Sequence, residues 1–142
     1  MAIEFVKLNE GWNAEPNSPD EKVSIEGADL TLEFTVNPWA YDGFRERERE
    51  RERLRLVFRS CNRYRLGPTN DEGWYRGQCR FGQLAPAWGE FYLVRGESDE
   101  VCEATDWVKI NDSTGAKHYL FYLRDCTFEC KADAYELHRV PS

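Results

Sequence analysis

The residues whose types could do chemistry lie mostly between Asn70 and Glu90. Asn70-Asp71-Glu72-Gly73-Trp74-Tyr75-Arg76, followed by Arg80, sets carboxylates, guanidiniums and aromatic rings on one glycine-bounded stretch. Loops carry such mixtures because a sheet cannot, and a pocket needs aromatic surface for affinity plus a few convergent polar groups for orientation. If the chain runs extended after Gly73, strand alternation puts Trp74, Arg76 and Arg80 on one side. Trp88-Gly89-Glu90-Phe91-Tyr92 sets Glu90 beside an aromatic wall, and burial against indole raises a carboxyl toward the range of a general acid. The candidate ligand- or partner-binding set is therefore Asp71, Glu72, Trp74, Arg76, Arg80, Trp88 and Glu90. The competing reading is that Asp71 and Glu72 cap a turn while Trp74 packs on a sheet.

A second constellation is His118 with Glu129, which share one face of a hairpin if the chain turns near Arg124-Asp125; a carboxylate there can orient an imidazole as a base. The bland alternative is a satisfied surface histidine. There are only two histidines and no serine or cysteine nucleophile motif, so no catalytic residue is assigned. No phosphate-binding glycine loop, dinucleotide fingerprint, His-Glu-x-x-His or paired-cysteine zinc pattern occurs, and no cofactor or metal is implied.

The five cysteines are Cys61, Cys79, Cys102, Cys126 and Cys130. An odd number without a secretion signal favours free thiols. On one straight strand Cys126 and Cys130 stand ~13 Å apart, too far for a disulfide or one tetrahedral ion, although a turn at Cys126 brings them closer. Buried structural thiols are expected.

The elements that must position these groups read as short strands. Leu30 to Val36 alternates, with Leu30, Leu32, Phe34 and Val36 inward, and Asn37-Pro38 ends it. Ile3 to Leu8, Leu54 to Tyr64, Gly89 to Val94 and Trp107 to Ile110 are further strands. The hairpin over His118 to Ala132 turns Tyr119, Phe121, Leu123, Phe128, Cys130 and Ala132 to one face. Its other face carries His118, Leu120, Tyr122, Glu129 and Lys131, whether the loop has two residues or four. Gly11 to Asp20, Gly67 to Gly73 and Asn111 to Ala116 are loops and turns, and Pro38 to Gly43 forms at most one helical turn. The pattern predicts a mainly β fold, an antiparallel sandwich or barrel-like sheet with little helix, as a single domain over residues 1–142.

Charge narrows the partners. The chain of 142 residues carries a formal charge of −7, and the run from Arg45 to Arg55 holds six arginines against four glutamates. That leaves 13 basic and 22 acidic residues elsewhere, a body that repels phosphate backbones, so nucleic acid is not an expected partner. Residues 45–53 read as a charged low-complexity loop or a strand extension, with arginines on one face, glutamates on the other, and the phase continuing into Leu54, Leu56 and Phe58. No apolar stretch is long enough to span a bilayer and no signal peptide is evident, so a cytoplasmic setting without membrane contact is expected.

Trp12-Asn13-Ala14-Glu15-Pro16-Asn17, Gly67 to Arg80 (GPTNDEGWYRGQCR), Pro86 to Tyr92 (PAWGEFY) and His118 to Cys130 (HYLFYLRDCTFEC) together resemble a group of small uncharacterised bacterial proteins. The resemblance spans most of the chain outside the Arg-Glu repeat. It implies a bacterial stand-alone domain and carries over no catalytic residue. Two functions fit this sequence. One is a non-enzymatic cytosolic domain that binds a protein partner or small-molecule ligand through Trp, Tyr and Arg; the other is a small hydrolase or isomerase using carboxylates from Asp71, Glu72, Glu90, Asp125 and Glu129.

Overall fold

The computed structural model describes residues 4–14, 20–36, 53–67, 90–96, 107–112, 115–123 and 127–140. They form ten strands: β1 (Glu4–Lys7), β2 (Lys22–Glu26), β3 (Asp29–Thr35), β4 (Arg53–Arg59), β5 (Arg63–Gly67), β6 (Phe91–Arg95), β7 (Val108–Lys109), β8 (Lys117–Tyr122), β9 (Thr127–Ala132) and β10 (Ala134–Arg139). One sheet has the order β1-β6-β8-β9-β5-β7 and the other β10-β4-β3-β2. All pairings are antiparallel, and the two sheets pack as a sandwich that does not close into a barrel.

Alternation drives this arrangement. In β3 and β4, Leu30 lies opposite Phe58, Leu32 opposite Leu56 and Phe34 opposite Leu54, and all six are fully buried. Across the sandwich they meet Phe91, Tyr119, Phe121, Phe128 and Cys130 of the larger sheet. The join is aromatic: Phe34 meets Phe121 edge-on at 5.4 Å, Phe58 lies 5.5 Å from Phe128, and Trp12 stacks on Phe34 at 5.7 Å. Such pairs add ~0.5–1.5 kcal/mol each beyond the area they bury. Burial pushes the Tyr119 hydroxyl up to about 12, so it stays neutral in the core.

The strand expected over Leu54 to Tyr64 is two strands in different sheets. Apolar alternation stops at Phe58, Ser60 adopts a left-handed φ of 51°, and the chain crosses from the small sheet to the large one. Three hydrogen bonds donated by backbone N–H groups hold this crossing. Ser60 N–H donates to Asp29 Oδ1 at 3.0 Å, Cys61 N–H to the Ala28 carbonyl at 2.8 Å, and Asn62 N–H to the Lys131 carbonyl at 2.8 Å.

The hairpin has the expected facing. Its last ladder pair is Tyr122 with Thr127, which leaves four residues between the strands. Arg53 and Arg55, the described end of the Arg-Glu repeat, continue the alternation on the outer side of β4 and bind Glu33 at 2.9 and 3.4 Å. The repeat up to Glu52 and the stretch Pro38 to Gly43 lie outside the described residues. No helix among the described residues is long and apolar enough to cross a membrane.

Candidate functional site

Asp71, Glu72, Trp74, Arg76, Arg80 and Trp88 lie outside the described residues, as do Asp125, Cys79, Cys102 and Cys126. Of the binding set, Glu90 is placed. It precedes β6, where its Oε2 lies 3.0 Å from Lys7 Nζ and its Oε1 accepts a bond from Asn13 Nδ2 at 3.3 Å.

The larger sheet is buried on both faces at its centre. Its inner face meets the small sheet. On the opposite, outer face Leu120 and Glu129 are fully buried, and Tyr122 and Tyr92 nearly so. Antiparallel register arranges this outer face in rows, because residues directly opposite each other point to the same side. One row runs Lys7, Tyr92, Leu120, Glu129, Arg65 across β1, β6, β8, β9 and β5. The next runs Val94, His118, Lys131, Arg63, Lys109 across β6, β8, β9, β5 and β7.

Glu129 is the pivot. Arg65 Nη1 donates to its Oε2 at 2.6 Å, and His118 Nε2 lies 2.8 Å from its Oε1. A carboxylate out of water is tolerable only when paired and hydrogen-bonded, and here both oxygens are. The consequence is rigidity: Glu129 fixes the orientation of the His118 ring. His118 is half-buried, with 17% of its side chain exposed. Alternation puts His118 beside Glu129, as expected, but does not give the burial of Glu129 on that face. The signal for that burial is Leu120 and Tyr122 on the same face.

Arg63 and Trp107 complete the group and were missed. Arg63 Cζ lies 5.2 Å from the centre of the Trp107 ring, a cation–π contact, and Trp107 meets the His118 ring edge-on at 6.2 Å. Among the described residues, the buried Nε of Arg63 has no hydrogen-bond partner. Lys131 stands directly across the ladder from Arg63, so two permanent cations are neighbours. Among the described residues, neither forms an ion pair. Lys109, at the end of the row, does, with Asp112 at 2.7 Å. A cleft of about 440 Å³ adjoins the row, with Val94, Gly96, His118 and Lys131 in its lining.

The remaining candidates stand apart from this group. Glu90 and Glu129 are two strands and one row apart, roughly 12 Å by strand spacing. Lys7 on β1 and Arg65 on β5 draw their carboxyls in opposite directions. Cys61 and Cys130 are free thiols buried in the core, on the other side of the sheet from His118. Burial pushes the Cys130 thiol well up, and neighbouring Cys61 adds to the shift. Among the described residues, no cluster of His, Cys, Asp or Glu could hold a metal ion. Comparison with family models, with curated proteins and with solved structures finds no match.

Proposed function

We propose that this protein is a non-enzymatic, cytosolic binding domain, and that it holds an anionic ligand or an anionic group of a partner on the outer face of its larger sheet. The observation that carries this reading is the unmet binding capacity of Arg63, whose buried Nε–H has no acceptor among the described residues and whose neighbour across the ladder is another cation. A buried donor without a partner costs ~1–3 kcal/mol, and like charges directly opposite in a ladder are destabilising. An anion seated between Arg63 and Lys131 removes both penalties. Trp107 supplies the aromatic wall such sites use, and the Arg65–Glu129–His118 group supplies a rigid floor.

Binding fits these residues better than catalysis. The two described candidate carboxylates, Glu90 and Glu129, are each committed to ion pairs and are not convergent. The described thiols sit behind the sheet, away from the imidazole.

The test is a titration followed by backbone amide chemical shifts. Sodium sulfate, compared with sodium chloride at equal ionic strength, is expected to move the amides of Arg63–Arg65, Trp107–Lys109, His118 and Glu129–Lys131. Unmoved amides there with sulfate, phosphate and citrate at 20 mM would contradict the proposal.

A further inference from the structure

Resting on that reading, we infer that the ligand is a small phosphate monoester, its phosphate seated between Arg63 and Lys131 and its organic body extending toward β6 over Val94. Charge balance sets the head group. Arg65 pairs with Glu129 and Lys109 with Asp112, whereas Arg63 and Lys131 have no carboxylate among the described residues, and Arg95 and Lys117 add two more cations to the wall of the adjoining cleft. A phosphate monoester carries about −1.5 to −2 at neutral pH and so offsets about twice as much of this positive charge as a monocarboxylate does.

Donor geometry agrees. Arg63 and Lys131 project from adjacent strands, roughly 5 Å apart at the backbone, so their ends can flank a single tetrahedral group. A lysine acts on phosphate as a point charge from any direction, whereas the buried Nε–H of Arg63 offers one directed donor. Contact of one guanidinium face with Trp107 leaves the in-plane N–H groups of Arg63 as directed donors to an oxyanion.

Size and surroundings set the body. The adjoining cleft of about 440 Å³ lies within the range of small-molecule pockets, and its wall includes Leu93 and Val94 as well as His118 and Lys131. It therefore accepts carbon beside the charged head. A polymeric phosphate is disfavoured because the chain as a whole carries −7.

Glycerol 3-phosphate and glycerate share a three-carbon body and differ in head-group charge, so the pair is diagnostic. In amide-shift titrations at 50 mM salt, glycerol 3-phosphate is expected to bind at least tenfold more tightly than glycerate and to move the amides of Val94, Gly96, His118 and Lys131. Lys131→Gln should weaken it at least tenfold, and Lys109→Gln, whose cation is already paired, less than twofold. Glycerate binding as tightly at the same amides would overturn the phosphate assignment and leave the anion-binding reading standing. Movement of these amides by neither compound, nor by sulfate, would overturn both.

Discussion

Replacing Glu129 by Gln keeps the size of the side chain and removes its charge, which isolates the role of the buried carboxylate. In the folded protein Glu129 is fully buried, and its partner Arg65 exposes 13% of its side chain. Breaking a buried pair by removing one partner costs ~3–5 kcal/mol, because the other charge is left without compensation. Glutamine retains one acceptor for Arg65 Nη1 or His118 Nε2 and so recovers part of that, which puts the expected loss at roughly 2–4 kcal/mol. For a chain of 142 residues this is a fall in melting temperature of about 6–16 °C, at roughly 3–4 °C per kcal/mol. The proper comparison is Glu33→Gln, since Glu33 also binds two arginines but exposes 22% of its side chain. Exposed and half-exposed pairs are worth ~0–1 kcal/mol, so that variant should lose no more than ~3 °C. Thermal denaturation followed by circular dichroism measures both. The double variant Arg65→Met with Glu129→Gln should be more stable than the sum of its single losses by at least ~1 kcal/mol. Equal melting temperatures for Glu129→Gln and Glu33→Gln would refute the claim that the outer face shields this group from water.

Two further predictions concern the frame. Gly115 has φ +53°, and a Cβ there would lie 2.7 Å from Asn62 Cβ and 3.0 Å from the Lys131 carbonyl, whereas at Gly27 (φ +62°) nothing lies within 4 Å. Gly115→Ala should therefore cost ~2–4 kcal/mol and Gly27→Ala ~1 kcal/mol, as read by chemical denaturation; equal losses would show that backbone conformation alone matters at both sites. On the small sheet, Arg59 holds Glu136 down at about 2 from 4.5, and the Ser60 N–H and Arg59 lower Asp29. Depressed carboxyls contribute stability that is complete above their ordinary range and disappears as pH falls through the folded value. Stability should thus decline between pH 4.5 and 2, and Arg59→Gln should flatten that decline, whereas superimposable acid limbs for the two proteins would count against the pairing.

Much of the fold was legible because buried alternation has few interpretations. Leu30-Leu32-Phe34 and Tyr119-Phe121 announce strands with one face in a core, and the hairpin facing follows from them. The edge strands β2 and β10 were not legible, because Val23-Ile25 and Tyr135-Leu137 are short alternations among charges and their burial is slight. The split at Ser60 was hidden because Phe58 and Tyr64 share one alternating phase on either side of it; Ser60 and Asn62 in that phase were its only mark. The site was half legible. Period-two alternation puts Glu129 beside His118, but only tertiary structure says that Glu129 is out of water. The row containing Arg63 and Lys131 depends on β5 pairing with β9, a contact across more than sixty positions that local pattern cannot reveal.

The most direct test of the anion site is the stability of Lys131→Gln with and without phosphate. Without phosphate, relief of the like-charge pair should leave this variant as stable as the parent protein or a few tenths of a kcal/mol more stable. With 10 mM phosphate and a dissociation constant near 1 mM, the parent should gain ~1.4 kcal/mol, about 4–5 °C, and the variant less than ~1 °C. A variant destabilised by more than ~1 kcal/mol without phosphate, together with a parent that phosphate does not stabilise, would contradict the account.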